Sequence, residues 1–62
     1  MPKSIARRML KEGGATRISD AAVIEFANVI NKFAYSVAKK ATRLAAHANR
    51  KTVEKDDVEL AV

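Results

Sequence analysis

From Ser19 to Ala48 the chain runs about thirty residues without a glycine or a proline. No other feature limits its folding options so tightly. Val23, Phe26, Ile30, Phe33, Val37, Ala41, Leu44 and Ala48 step by three or four, the spacing that gathers side chains on one face of an α-helix. Ala27, Ala34, Ala38 and Ala45 flank that row. At 100° per residue the twelve positions fill an arc of about 140°, wider than the ~100° stripe of an ordinary surface helix. At 1.5 Å per residue the helix is about 45 Å long. Glu25, Asn28, Lys32, Ser36, Lys39 and Arg43 cluster on the opposite face.

The remaining residues are too few to cover such a stripe. A short helix is expected from about Ser4 to Glu12, with Ser4 as its N-cap and Ala6, Met9 and Leu10 on one face. Gly13-Gly14 should end it, because glycine adopts the left-handed C-terminal conformation without steric strain. Ser19 should cap the long helix, and Asp20 suits the positive end of its dipole. Asn49 tolerates the left-handed conformation that ends the helix. A third helix is expected from about Glu54 to Val62, capped by Thr52, with Val58, Ala61 and Val62 as its buried face. Two helices of about nine residues cannot cover a ~45 Å stripe, but a second copy of the long helix can. A chain of 62 residues buries only about 60% of its unfolded surface, so its stability is marginal without reinforcement. There is no cysteine, which excludes disulfides and cysteine-based metal sites and fits a reducing cytoplasm. One histidine cannot build a metal site, and no cofactor is expected. Oligomerisation remains as the means of enlarging the core. The expectation is an all-α single domain over 1–62 that forms a homodimer around Phe26, Ile30, Phe33 and Val37, with the flanking alanines allowing close helix crossing.

The formal net charge is +5 and the pI about 10.0. Such a balance points toward polyanions, chiefly nucleic acid. The amino-terminal third is the most basic, with Lys3, Arg7, Arg8, Lys11 and Arg17 against Glu12 alone. Lys32, Lys39, Lys40 and Arg43 read most simply as a solvated face, and Tyr35 falls off the apolar stripe without an assigned role. No apolar run of about 18 residues is present, so no membrane span is expected. Met1-Pro2-Lys3-Ser4 is not followed by an apolar segment, so no secretory signal is expected. Nothing in the sequence resembles a catalytic constellation or a small-molecule pocket, so an enzyme is not expected.

Three segments together are specific: Arg17-Ile18-Ser19-Asp20; the helix end Leu44-Ala45-Ala46-His47-Ala48; and Arg50-Lys51-Thr52-Val53 with Asp57-Val58-Glu59-Leu60-Ala61-Val62. They closely resemble the archaeal-type histones, and the resemblance covers essentially the whole chain from about Ile5. It implies the histone fold, a short, a long and a short helix in an intertwined head-to-tail homodimer. It also implies a chromosome-associated protein that bends, coats or wraps double-stranded DNA without reading its sequence. By the same resemblance Arg17 reaches the minor groove and Thr52, with nearby backbone N–H groups, holds phosphate. Lys51 contacts phosphate as well, and Arg8 and Lys11 are basic positions of the first helix. Arg7 and Lys3 belong to the same anion-facing third. Arg50 and Asp57 match an internal ion pair. Leu44, His47 and Asp57 match positions where dimers join into tetramers or higher stacks, through a His–carboxylate contact. Lys3-Ser4, Asn49 and Glu54 depart from the family's usual residues. A different-class alternative is a histone-fold dimerisation module within a transcription-factor-like complex.

Overall fold

The computed structural model describes residues 1–62. It contains three helices, α1 (Lys3–Glu12), α2 (Asp20–His47) and α3 (Lys55–Ala61), and no strand. The helix α2 is 28 residues long and unbroken. Its start is set by Ser19, whose Oγ accepts a hydrogen bond from the Ala22 N–H at 3.1 Å, and by Asp20 in the first turn.

Both helix ends before the loops use the same device. At the end of α1, the Ala15 N–H donates to the Leu10 carbonyl at 3.1 Å and the Gly14 N–H to the Lys11 carbonyl at 2.9 Å. At the end of α2, the Arg50 N–H donates to the Ala45 carbonyl at 2.9 Å and the Asn49 N–H to the Ala46 carbonyl at 3.0 Å. Each is a Schellman closure, which needs one residue at positive φ. Gly14 supplies it at φ 107° and Asn49 at φ 58°.

Two expected caps are corrected. Ser4 is not the N-cap of α1 but lies within its first turn. Pro2 takes that position in an extended conformation (φ −62°, ψ 139°), and its carbonyl accepts from Ile5 and Ala6, each at 3.2 Å. Proline has no N–H to leave unsatisfied and its φ is already suitable, so the helix begins one residue earlier. Thr52 is not the N-cap of α3 either. Glu54 is, with φ −110° and ψ 168°, and its N–H is taken by the Asp57 carboxylate at 2.8 Å. That reach-back from the third helical residue is one half of a capping box, and it selects Glu54 over Thr52.

The chain divides within α2 into two compact units, Met1–Lys32 and Phe33–Val62. In the first, Ala6, Val23 and Ala27 form a buried cluster, with Leu10, Ile18 and Phe26 packed against it. In the second, the buried apolar residues are Ala41, Ala45 and Ala61. The hydrophobic core of the single chain is thus alanine throughout except for Val23. Phe26, Ile30 and Val37 are only half-buried, and Phe33 is 57% exposed. The expected buried face of α3 is also reduced to Ala61, with Val58 and Val62 exposed. Large apolar groups are therefore present but not covered by this chain's own atoms.

The two glycines before α2 give a direct check on the turn. A Cβ on Gly13 would sit 3.4 Å from the Leu10 carbonyl oxygen, an ordinary contact, and its φ of −75° suits any residue. A Cβ on Gly14 would meet nothing within 4 Å, so only the backbone opposes it. Gly13→Ala is expected to be neutral or to stabilise by up to about 1 kcal/mol. Gly14→Ala is expected to destabilise by about 1–2 kcal/mol. Thermal melts of the two variants check this, and equal melting temperatures would contradict the turn geometry.

Candidate nucleic-acid interface

The loop between α1 and α2 is held from two sides. Ile18 packs into the cluster of Ala6, Val23 and Ala27. Arg7 reaches from α1 to donate to Asp20 Oδ1 at 2.9 Å and to the Ile18 carbonyl at 3.5 Å. Arg17 precedes that anchored residue, is exposed, and forms no ion pair. A cation on a braced loop loses less freedom on meeting a ligand than one on a mobile loop. Arg7 belongs to the basic third read from the sequence as DNA-facing. Its guanidinium instead faces Asp20, so part of its charge is already neutralised. Arg8 pairs loosely with Glu12 at 3.7 Å, both side chains well exposed. Lys3 and Lys11 are exposed and unpaired. At 100° per residue Lys3, Arg7, Lys11 and Arg8 occupy one basic arc of about 140° on α1.

The loop between α2 and α3 is braced by a denser network. Arg50 donates to both oxygens of Asp57, 2.8 Å each, and to the Thr52 carbonyl at 3.0 Å. It also lies 3.2 Å from Glu54. Asp57 is 4% exposed and in addition receives the Glu54 N–H. The bidentate fork is the strong form of a charge-assisted hydrogen bond. It ties the Schellman residue Arg50 to the first turn of α3. The Arg50 hydrogen bond, helped by the Glu54 N–H, holds the Asp57 carboxyl down at about 2 despite its burial. The same hydrogen bond keeps the Arg50 proton more firmly than usual. Lys51 and Thr52 lie at the exposed apex of this clamp. Lys51 forms no ion pair, and the Thr52 hydroxyl has no partner within the chain.

The Asp57 arrangement corrects one expectation. The resemblance implies a contact from His47 to Asp57 where dimers meet. Both Asp57 oxygens are instead occupied by Arg50 and the Glu54 N–H. Leu44 and His47 are exposed and, with Lys40, Arg43, Leu60 and Ala61, line an open hollow of about 320 Å³. Leu60 carries no signal in the sequence. It lies off the Val58–Val62 row, and only its 75% exposure beside Leu44 reveals it. The Arg7–Asp20 pair is equally silent there, because its thirteen-residue separation has no periodic signature.

Over residues 1–62 the chain matches the family of histone-like transcription factors (CBF/NF-Y) and archaeal histones. It belongs to that family. Similar relatives include the archaeal histone HAN1 of Thermococcus zilligii and probable archaeal histone 3 of Methanocaldococcus jannaschii. Each is 42% identical over 62 residues, covering 100% of this chain and 92% of the relative. The short–long–short order of α1, α2 and α3 is accordingly a histone fold. No helix of this member is long and apolar enough to cross a membrane.

The brace in the second loop gives a pH dependence. Asp57 has a folded-state pKa depressed to about 2, below the ordinary value of about 3.9. The folded state therefore binds fewer protons, and stability rises with pH across that window. The contribution is complete above about pH 5 and is lost as pH falls toward 2. Melting temperatures of the wild type and Asp57→Asn should differ most near pH 6 and converge near pH 2. A difference that stays constant across that range would rule out the pair as its origin.

Proposed function

We propose that this histone-family chain acts as a homodimer that binds double-stranded DNA without reading its sequence and bends, coats or wraps it. The carrying observation is a division of labour repeated in both loops. One arginine braces the loop through a carboxylate, Arg7 to Asp20 and Arg50 to Asp57. A second cation nearby has no acid partner, Arg17 in the first loop and Lys51 in the second. Braced loops with unpaired cations suit a ligand of fixed, repeating negative charge. In this reading Arg17 enters the minor groove, where a narrow groove concentrates negative potential. Lys51 and Thr52 hold phosphate, and Lys3, Arg8 and Lys11 extend the contact along α1. The names of the two archaeal histone relatives support the reading.

The dimer follows from the uncovered stripe. A second α2 would cover Phe26, Ile30, Phe33 and Val37, which the single chain leaves partly or largely exposed. Burying one such side chain is worth about 1.5–3 kcal/mol, far more than the alanine cluster supplies. Leu44, His47 and Leu60 provide a surface on which dimers stack along DNA, with Asp57 bracing α3 behind it rather than joining the contact.

Arg17→Ala and Lys51→Ala should each weaken binding by a similar factor on unrelated duplexes. Each should also lower the slope of log affinity against log salt by about one per contact removed. Titrations at several salt concentrations on two duplexes test this. Loss confined to one sequence would indicate base readout and refute the proposal. Separately, Phe33→Asp should abolish folding rather than release a folded monomer, because a charge would be placed in the dimer core. Sedimentation combined with circular dichroism decides it, and a helical, soluble monomer would overturn the dimer.

A further inference from the structure

The outer face of α2 carries charge that the proposed loop contacts do not use. From Phe26 to Val53 the sequence contains Lys32, Lys39, Lys40, Arg43, Arg50 and Lys51 and no aspartate or glutamate. The other two helices offset their exposed cations in the usual way, with opposite charges four residues apart. These pairs are Arg8–Glu12 on α1 and Lys55–Glu59 on α3. On α2 the corresponding pair is Lys39 and Arg43, two like charges at i and i+4, which disfavours a helix by a few tenths of a kcal/mol. Neither forms an ion pair, and both are exposed. Tyr35, four residues before Lys39, is 70% exposed.

These three side chains edge one shallow hollow of about 350 Å³, with Ala38 and Thr42 between them. The Thr42 hydroxyl donates to the Ala38 carbonyl at 2.8 Å, so its proton stays within the helix. What faces outward is a phenol, an ammonium and a guanidinium, each about 6 Å further along the axis than the last. By helical angle the row lies roughly opposite the apolar stripe, so a partner copy on the stripe leaves it in solvent. An ordinary solvated face would interleave signs, as α1 and α3 do.

We propose that Tyr35, Lys39 and Arg43 form a second site for the phosphate backbone of a duplex, through which a DNA-bound dimer holds a separate DNA segment. Charge complementarity selects the occupant: duplex DNA offers one negative charge per ~1.7 Å of axis. The surface is a convex, rigid helix face. It has one aromatic ring and no opposing wall, which gives an unpaired base little to stack between. A duplex backbone needs no such wall.

The inference rests on the reading that the loops bind duplex DNA, and the test separates the two. A duplex is immobilised on beads and saturated with protein, and capture of a second, labelled duplex of unrelated sequence is measured. Affinity for a single duplex is titrated in parallel. Wild type should bind the first duplex and capture the second. The double variant Lys39→Gln with Arg43→Gln should bind one duplex within about twofold of wild type while capture falls at least about fivefold. Glutamine has helix propensity close to that of lysine and arginine, and a circular dichroism melt verifies that the variant is folded. Equal capture by variant and wild type would overturn the proposal. So would parallel loss of capture and single-duplex affinity, since the row would then belong to one continuous footprint. Wild type that binds one duplex without capturing another overturns this inference alone. Wild type that binds no duplex overturns the proposed function as well.

Discussion

The apolar stripe of α2 must be covered, and one chain of this length cannot cover it. The buried hydrophobic residues of the single chain are Ala6, Val23, Ala27, Ala41, Ala45 and Ala61. Alanine brings backbones close but removes little apolar area from water. The residues that could contribute most, Phe26, Ile30, Phe33 and Val37, stay half-buried or exposed. Hydrophobic stabilisation scales with apolar area removed from water, so these four side chains stand to gain far more from a partner than from their own chain. The proposed homodimer is the form in which folding and association become one event.

Around that constraint the loops are built for rigidity. Each follows a Schellman closure with one positive-φ residue, Gly14 or Asn49. Each is then tied to a neighbouring helix by an arginine–carboxylate contact. The two braces are not equal. Arg7–Asp20 is a single contact to an exposed carboxylate, where ion pairs contribute little. Arg50–Asp57 is bidentate, buried on the acid side and reinforced by the Glu54 N–H. The second loop is therefore the more firmly held, and its sensitivity to acid is the consequence. In both, the bracing arginine leaves another cation free of acid partners. That separation lets the same loop be folded by one charge and offer another to a polyanion.

Much of the architecture is legible in the sequence because it rests on local rules. The length and face of α2 follow from a 3.6-residue period with no breaker, its start from Ser19, and its end from Asn49. The site is legible in part for the same reason, since loop cations are visible as loop cations wherever the chain turns. Three features are not. Pro2 displaces Ser4 as a cap, because a preset backbone with no N–H outweighs a hydroxyl acceptor at that position. Glu54 displaces Thr52, because the choice depends on where the Asp57 carboxylate points. Leu60 escapes notice, because its significance comes from lying beside Leu44 rather than from spacing along α3.

The sequence by itself determined the helix order, the single long amphipathic helix, the basic balance and the family. Each of these depends on residue type and short-range periodicity, which a linear chain displays directly. Only the tertiary structure decided which charges are already committed. Arg7 and Arg17 look alike in sequence, as do Asp56 and Asp57. Geometry sets Arg7 against Asp20 and leaves Arg17 unpaired. It turns Asp57 inward to Arg50 and away from His47. The physical reason is that a hydrogen bond is directional and short, so its partner is chosen by the folded backbone across many residues, and no local pattern encodes that choice.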